Sequence, residues 1–351
     1  RALTPPDVEF AAVSSHTALI LALESIATRC KSDMPKPDLA EQRTKIRYLQ
    51  SVHAASWAGK GAVAEAFAAA WAEADDRKTA IEWYRKALVA EDSGASMKAV
   101  EQLLNLRVRL AAEDVDAARR TGDPAKLRAL ARDRAREARD AIENLEKLVE
   151  ELSTMERINL CGSAHKRLAL ILEAAGEADG AAIEAVRRHY AAAEELGAKS
   201  PDVFYPALNV IAVDVLARSG RVPAGRFKAV REAIDARLRD DPDFWSAAGD
   251  IELMLYEALN AAALAPKLAA LESGLEDLHA RWPSKLMWSS VRDQARFVLP
   301  RYARRRGAPA EEDAALRLLT LLEAYAGDKT EIKPRKGSGA RTGQRARGRK
   351  S

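Results

Sequence analysis

Two cysteines in 351 residues, Cys30 and Cys161, are too few for a disulfide framework, and neither sits in a CxxC pair of the kind that builds structural zinc sites. Both read as small core residues in a reducing compartment. Aromatic side chains make up only 5%, and runs of alternating Val, Ile, Thr and Tyr bounded by turn residues are missing, which excludes a β-rich fold. No stretch approaches the roughly 18 consecutive apolar residues of a membrane-spanning helix, and no basic-then-apolar signal opens the chain; a cytoplasmic address without membrane contact is expected. The first residue is Arg1, so a fragment or processed chain is expected. The five histidines, His16, His53, His165, His189 and His279, include no HExxH and no pair four apart, which speaks against zinc. Gly337, Gly339 and Gly343 do not spell a phosphate loop, since no strand precedes them and no helix follows. No metal and no cofactor is expected.

What is present is helix-forming material. Apolar residues make up 48% and charged residues 31%, enough for a packed core with a polar coat. The net charge of +4 is unevenly placed. Residues 329–351 hold nine Lys or Arg against the single Glu331, a balance of +8, which leaves the rest of the chain at −4. The high pI of about 9.0 is therefore a property of the tail.

Apolar residues recur at three- and four-residue spacing almost throughout, which predicts successive amphipathic helices. Breaks are predicted near Pro35 and Pro37, Gly59–Gly61, Asp75–Asp76, Ser93–Gly94, Gly122–Pro124, Ser153–Thr154, Gly176, Ser200–Pro201, Gly220–Pro223, Asp240–Pro242, Pro266, Pro283 and Gly307–Pro309. Two long helices are expected in the middle, Ser96 to Arg120 and Pro124 to Leu152. The second carries Leu127, Ala131, Ala135, Ala138, Ile142, Leu145, Leu148 and Leu152 on one stripe, with an arginine-rich face opposite. It is expected to pack on its preceding helix.

Gly61 to Gly94 has the 34-residue length of a tetratricopeptide repeat, and its residues resemble that motif. Ala64, Phe67, Ala68 and Trp71 supply its large, small and aromatic positions in the first helix, and Ala80, Tyr84 and Ala87 those of the second. Small residues let the two helices approach and aromatics fill the remaining space. Ile158–His165, with Tyr190 and Ala193, resembles the motif again, as does Trp245–Gly249 with Leu275, Leu278 and Pro283. These later units depart from it in helix length and in a spacing nearer 45 to 50 residues. The expected fold is all-α, a divergent superhelical stack of antiparallel hairpins over residues 1–328. The best single repeat is 61–94, a long hairpin covers 95–152 and divergent repeats cover 154–327; a disordered basic tail follows at 329–351. The segment Glu156–Ala169 also resembles the helical region that accompanies bacterial caspase-like peptidases of the CHAT type; no strand pattern exists here to hold their catalytic pair.

Cys161 and His165 lie four apart on one helix and could pair as thiolate and imidazolium, but both occupy packing positions of a repeat, and packing is the preferred reading. Glu73, Asp75 and Asp76, and Asp240, Asp241 and Asp243, fall at helix ends, where carboxylates cap free N–H groups. No catalytic residue is assigned and no enzyme is expected.

Leu104-Asn105, Ile158-Asn159, Leu208-Asn209 and Leu259-Asn260 recur at intervals of 54, 50 and 51 residues. The resemblance implies that groove asparagines hold the backbone of an extended peptide, which nominates Asn105, Asn159 and Asn209, with Lys166 as a charged neighbour; hairpin packing is the competing role. The expected function is a protein-interaction scaffold or regulatory module that binds a peptide or partner domain, in the setting of a larger bacterial signalling or CHAT-peptidase protein. The alternative is a nucleic-acid accessory protein acting through the arginine-rich helix and Lys333, Arg335, Lys336, Arg341, Arg345, Arg347, Arg349 and Lys350. That tail has no aromatic to stack a base, so its contacts would be nonspecific.

Overall fold

The computed structural model describes residues 15–31, 38–217, 221–283 and 285–327, and contains fourteen α-helices and no strand among them. The first four are α1 (His16–Lys31), α2 (Leu39–His53), α3 (Gly61–Glu73) and α4 (Arg77–Leu88). The two long ones follow, α5 (Met97–Arg119) and α6 (Pro124–Glu151), then α7 (Met155–Ala175) and α8 (Gly180–Leu196). The chain continues through α9 (Phe204–Leu216), α10 (Ala224–Asp240), α11 (Phe244–Asn260), α12 (Leu264–Arg281), α13 (Lys285–Arg306) and α14 (Pro309–Tyr325). The last expected tail residues, Lys333 to Lys350, lie outside the described residues.

Local chemistry fixes the ends. Asp76, Asp123 and Asp243 each accept from the first-turn amides of the helix they precede, and Asp243 forms a reciprocal capping box with Ser246. Thr154 does the same for α7, which stops at Gly176 in the left-handed conformation, φ 74°. Pro266 is the break that is displaced. It lies inside the first turn of α12, where its missing N–H has no intrahelical partner to lose, and the turn itself falls at Ala261–Ala263.

Consecutive helices pair into hairpins, and alternate helices stack, α1 on α3, α5 on α7 and α9 on α11. Two apolar cores result. One joins α1–α4 to the start of α5 through Leu19, Leu23, Phe67, Trp71 and Tyr84; the other runs from Leu104 of α5 to Leu322 of α14. The tetratricopeptide positions behave as packing residues: Ala64, Phe67, Ala68, Trp71, Ala80, Tyr84 and Ala87 are all buried, and Phe67 stacks on Trp83 at 4.6 Å. In the next motif copy, a Cβ on Gly162 would stand 2.8 Å from the Tyr190 ring, so glycine is what allows α7 and α8 to touch there. The Trp245 copy is shifted by one residue. Trp245 is exposed, and Phe244 takes the buried aromatic position against Trp282 and Trp288.

The C-terminal hairpin closes the stack. α13 packs on α9 and α11, burying Trp288, Phe297, Val298, Leu299 and Tyr302. Arginines tie it across the superhelix: Arg296 reaches Asp116 of α5 at 2.7 Å, and Arg301 reaches Asp179, before α8, at 2.7 Å and Glu173 of α7 at 3.0 Å. No described helix is long and apolar enough to cross a membrane.

Candidate functional site

α5 stacks on α7 and α9 on α11, and α13 packs against α9 and α11. A buried polar chain marks the contact. Lys166 donates 2.9 Å to Asn209 Oδ1 and also to Gln294 Oε1 of α13. Asn209 Nδ2 in turn donates to the Tyr205 carbonyl at 2.9 Å, Gln294 Nε2 donates to the Tyr256 hydroxyl at 2.6 Å, and that hydroxyl donates to Glu252. Burial lowers the Lys166 ammonium to about 8 and raises the Glu252 carboxyl. Each charge is balanced by hydrogen bonds, the condition under which a buried polar network persists.

The fold thus joins two of the four nominated residues, Lys166 and Asn209, and seals both beneath α13. The other two stand elsewhere. Asn105 and Asn159 lie on α5 and α7, on the stripes that lead to a pocket between α5, α7 and α13. One turn along from Asn105 is Arg109; two turns along from Asn159, past Ser163, is Arg167; both arginines line that pocket. Asn159 Oδ1 is buried with no hydrogen-bond partner among the described residues, an open acceptor facing a loss of about 1–3 kcal/mol unless a donor reaches it.

The pocket carries acids as well. Glu113 is paired with Arg77, Asp116 with Arg296 and Asp293 with Arg292, whereas no described carboxylate forms a salt bridge with Arg109 or Arg167. Arg167 donates to the Ser163 hydroxyl and carbonyl. Burial, then the like charges of Arg167 and Arg77, push Arg109 down to about 10 against the opposing charges of Asp293 and Glu113, so it stays cationic at neutral pH without a direct salt bridge. Sequence reasoning passed over both arginines; the signal available was their helical spacing from the recurring asparagines.

Cys161 is fully buried, and desolvation followed by the charge of Glu146 raises its thiol to about 12. His165 turns away from it. Its Nε2 lies 3.0 Å from Glu146 Oε1, and so does the Nε2 of His189. The four-residue spacing therefore produces no thiolate–imidazolium pair, because the ring is claimed by a carboxylate of α6. Burial lowers both imidazoles, which keeps them neutral at physiological pH.

The arginine-rich face of α6 is largely neutralised. Arg134 pairs with Asp114 and Glu137, Arg136 with Asp133, and Arg139 with Glu177.

The family model described as Tetratricopeptide Repeats-Sensor matches residues 97–216, about a third of the chain. No curated protein and no solved structure matches. The matched span begins at α5 and ends at α9, so it contains Arg109, Arg167 and all three nominated asparagines. Repeats of this type generally serve protein interaction and are typically non-catalytic. Residues 97–216 thus resemble the tetratricopeptide-repeat type, and the described residues form an all-α stack of closely packed helical hairpins like a tetratricopeptide-type solenoid.

Proposed function

We propose that this protein is a regulatory binding module that takes up a carboxylate-bearing segment of a partner protein along the strip of groove between α5 and α7. The observation that carries the reading is the orphaned acceptor of Asn159 on the same strip as Arg109 and Arg167, two guanidiniums that form no direct salt bridge although Glu113 and Asp293 share their pocket. An extended segment would donate a backbone N–H to Asn159 and Asn105 and set an Asp, Glu or terminal carboxylate against the arginines, whose planar forks suit carboxylates. Lys166 and Asn209 serve the same groove from below α13, holding its filled half in place. The word sensor in the matched family's description supports a regulatory role. A larger bacterial signalling or CHAT-peptidase protein is the setting that the Glu156–Ala169 resemblance suggests for it.

The nucleic-acid reading gains nothing from the arginines of α6, most of which are spent on neighbouring carboxylates. The test uses the full chain against an array of fluorescent peptides rich in Asp and Glu, each matched by its Asn and Gln counterpart. Acidic peptides are expected to bind at least about tenfold more tightly than their amide counterparts, and the preference should vanish in Arg109→Ala/Arg167→Ala. Equal binding of both series, or a preference untouched by the double substitution, contradicts the proposal.

A further inference from the structure

Away from the groove, three consecutive helices each send one donor to a common point: Glu146 from α6, His165 from α7 and His189 from α8. Their nearest ligand atoms all lie within 4.8 Å of one another, and both imidazole Nε2 atoms are 3.0 Å from the same carboxylate oxygen. The two rings are near-parallel, 15° apart with centroids at 5.3 Å, so both present their Nε2 edges in the same direction.

We infer that Glu146, His165 and His189 form a binding site for a divalent first-row transition metal ion of the Zn²⁺ type. Two imidazole nitrogens and one carboxylate oxygen make up a donor set that such ions accept, with bonds of about 2.0–2.2 Å and a fourth position left to water. An ion at the centre of the triangle replaces two imidazole-to-carboxylate hydrogen bonds and draws the three donors together without moving a helix. Exposure favours the exchange: each histidine side chain is 12% exposed and Glu146 35%, so the nitrogens are held in place while the carboxylate faces solvent.

Two features set the strength. Arg188 Nη lies 3.8 Å from Glu146 and must swing away when a cation arrives, which its 68% exposure permits. His165 Nδ1 is buried without a partner among the described residues, so the ring lacks the outer hydrogen bond that usually firms a metal-bound imidazole. That omission weakens a site by about 10- to 100-fold, which points to reversible and not permanently occupied binding. His165 immediately precedes Lys166 and Arg167, so the ion would sit on the turn of α7 whose opposite side builds the groove.

The experiment titrates the untagged full chain, stripped by a chelator, with Co²⁺ at neutral pH, followed by competition with Zn²⁺. The expected result is one equivalent bound, visible d–d bands of low coordination number, and their loss on adding Zn²⁺. His189→Gln and Glu146→Gln, each checked by circular dichroism for an unchanged fold, should weaken binding at least about tenfold. Arg188→Gln should tighten it. Absence of d–d bands in the parent chain, or bands that persist in both ligand variants, overturns the assignment.

Discussion

The hairpins α3–α4 and α7–α8 carry a similar small-and-aromatic pattern in sequence yet pack differently. In α3–α4 the small and aromatic positions close on each other, Phe67 stacking on Trp83 over Ala64, Ala68 and Ala80, and its buried side chains are almost all apolar. In α7–α8 the same logic puts Gly162 under Tyr190, but α7 also buries Cys161, His165, Lys166 and Arg157. α7, 21 residues against 13 in α3, packs on α5, α6 and α8 and also reaches α9 and α13 through the Lys166 side chain. Both helices pack on three neighbours, so the difference lies in the longer helix's polar side chains, of which Lys166 finds buried partners on α9 and α13.

Substitutions can break that contrast. The largest effect is expected from Phe67→Ala, whose fully buried ring should cost about 3–5 kcal/mol in denaturant unfolding of the N-terminal core. A loss below about 1 kcal/mol would mean that the first hairpin is not held by its motif residues.

Lys166 gives the next largest. Its folded pKa of about 8 lies below its ordinary value of 10.5, so from about pH 8 upward the unfolded chain holds more protons than the folded one, and stability rises with pH. The gain to pH 10.5 is up to about 3 kcal/mol. Lys166→Met should flatten this part of the stability curve relative to the parent chain, as measured by urea unfolding across pH 7.5–10; identical curves would remove Lys166 as the cause.

A smaller effect separates the two uses of glycine. Gly162→Ala drives a methyl into the Tyr190 ring and should cost about 1–3 kcal/mol by thermal melting. Gly180→Ala, at the first turn of α8 with nothing within 4 Å of its added Cβ, should be neutral or stabilising by about 0.5 kcal/mol. Similar values for both would mean that α7 and α8 relax apart at little cost.

Helix ends were readable from the chain because their causes are local. Asp123-Pro124, Thr154 and Gly176 bound α6 and α7 within a residue or two of where capping chemistry puts them, whereas Ser96 precedes α5 with its hydroxyl on Glu65 and not on the helix. The hairpin of α3 and α4 was legible for the same reason, its packing pairs lying within one hairpin. What was not legible depends on contacts between distant residues. Nothing in the spacing of Glu146, His165 and His189 gives them a common direction; each sits on a different helix, and only the three-helix packing brings them together. The insertion of α13 rests on pairs as far apart as Asp116 and Arg296, for which single-chain periodicity carries no signal. The recurrence of Leu-Asn does lead to the stripes ending at Arg109 and Arg167, while the sealing of Lys166 and Asn209 beneath Gln294 follows from the closure alone.

If the strip along α5 and α7 is the recognition surface, hydrogen exchange on the full chain with and without the tightest acidic peptide tests it most directly. The account predicts added protection confined to residues 105–116 of α5 and 159–171 of α7, lost in Arg109→Ala/Arg167→Ala. Protection on the outer helices α6 and α10 instead, with the strip unchanged, would contradict it.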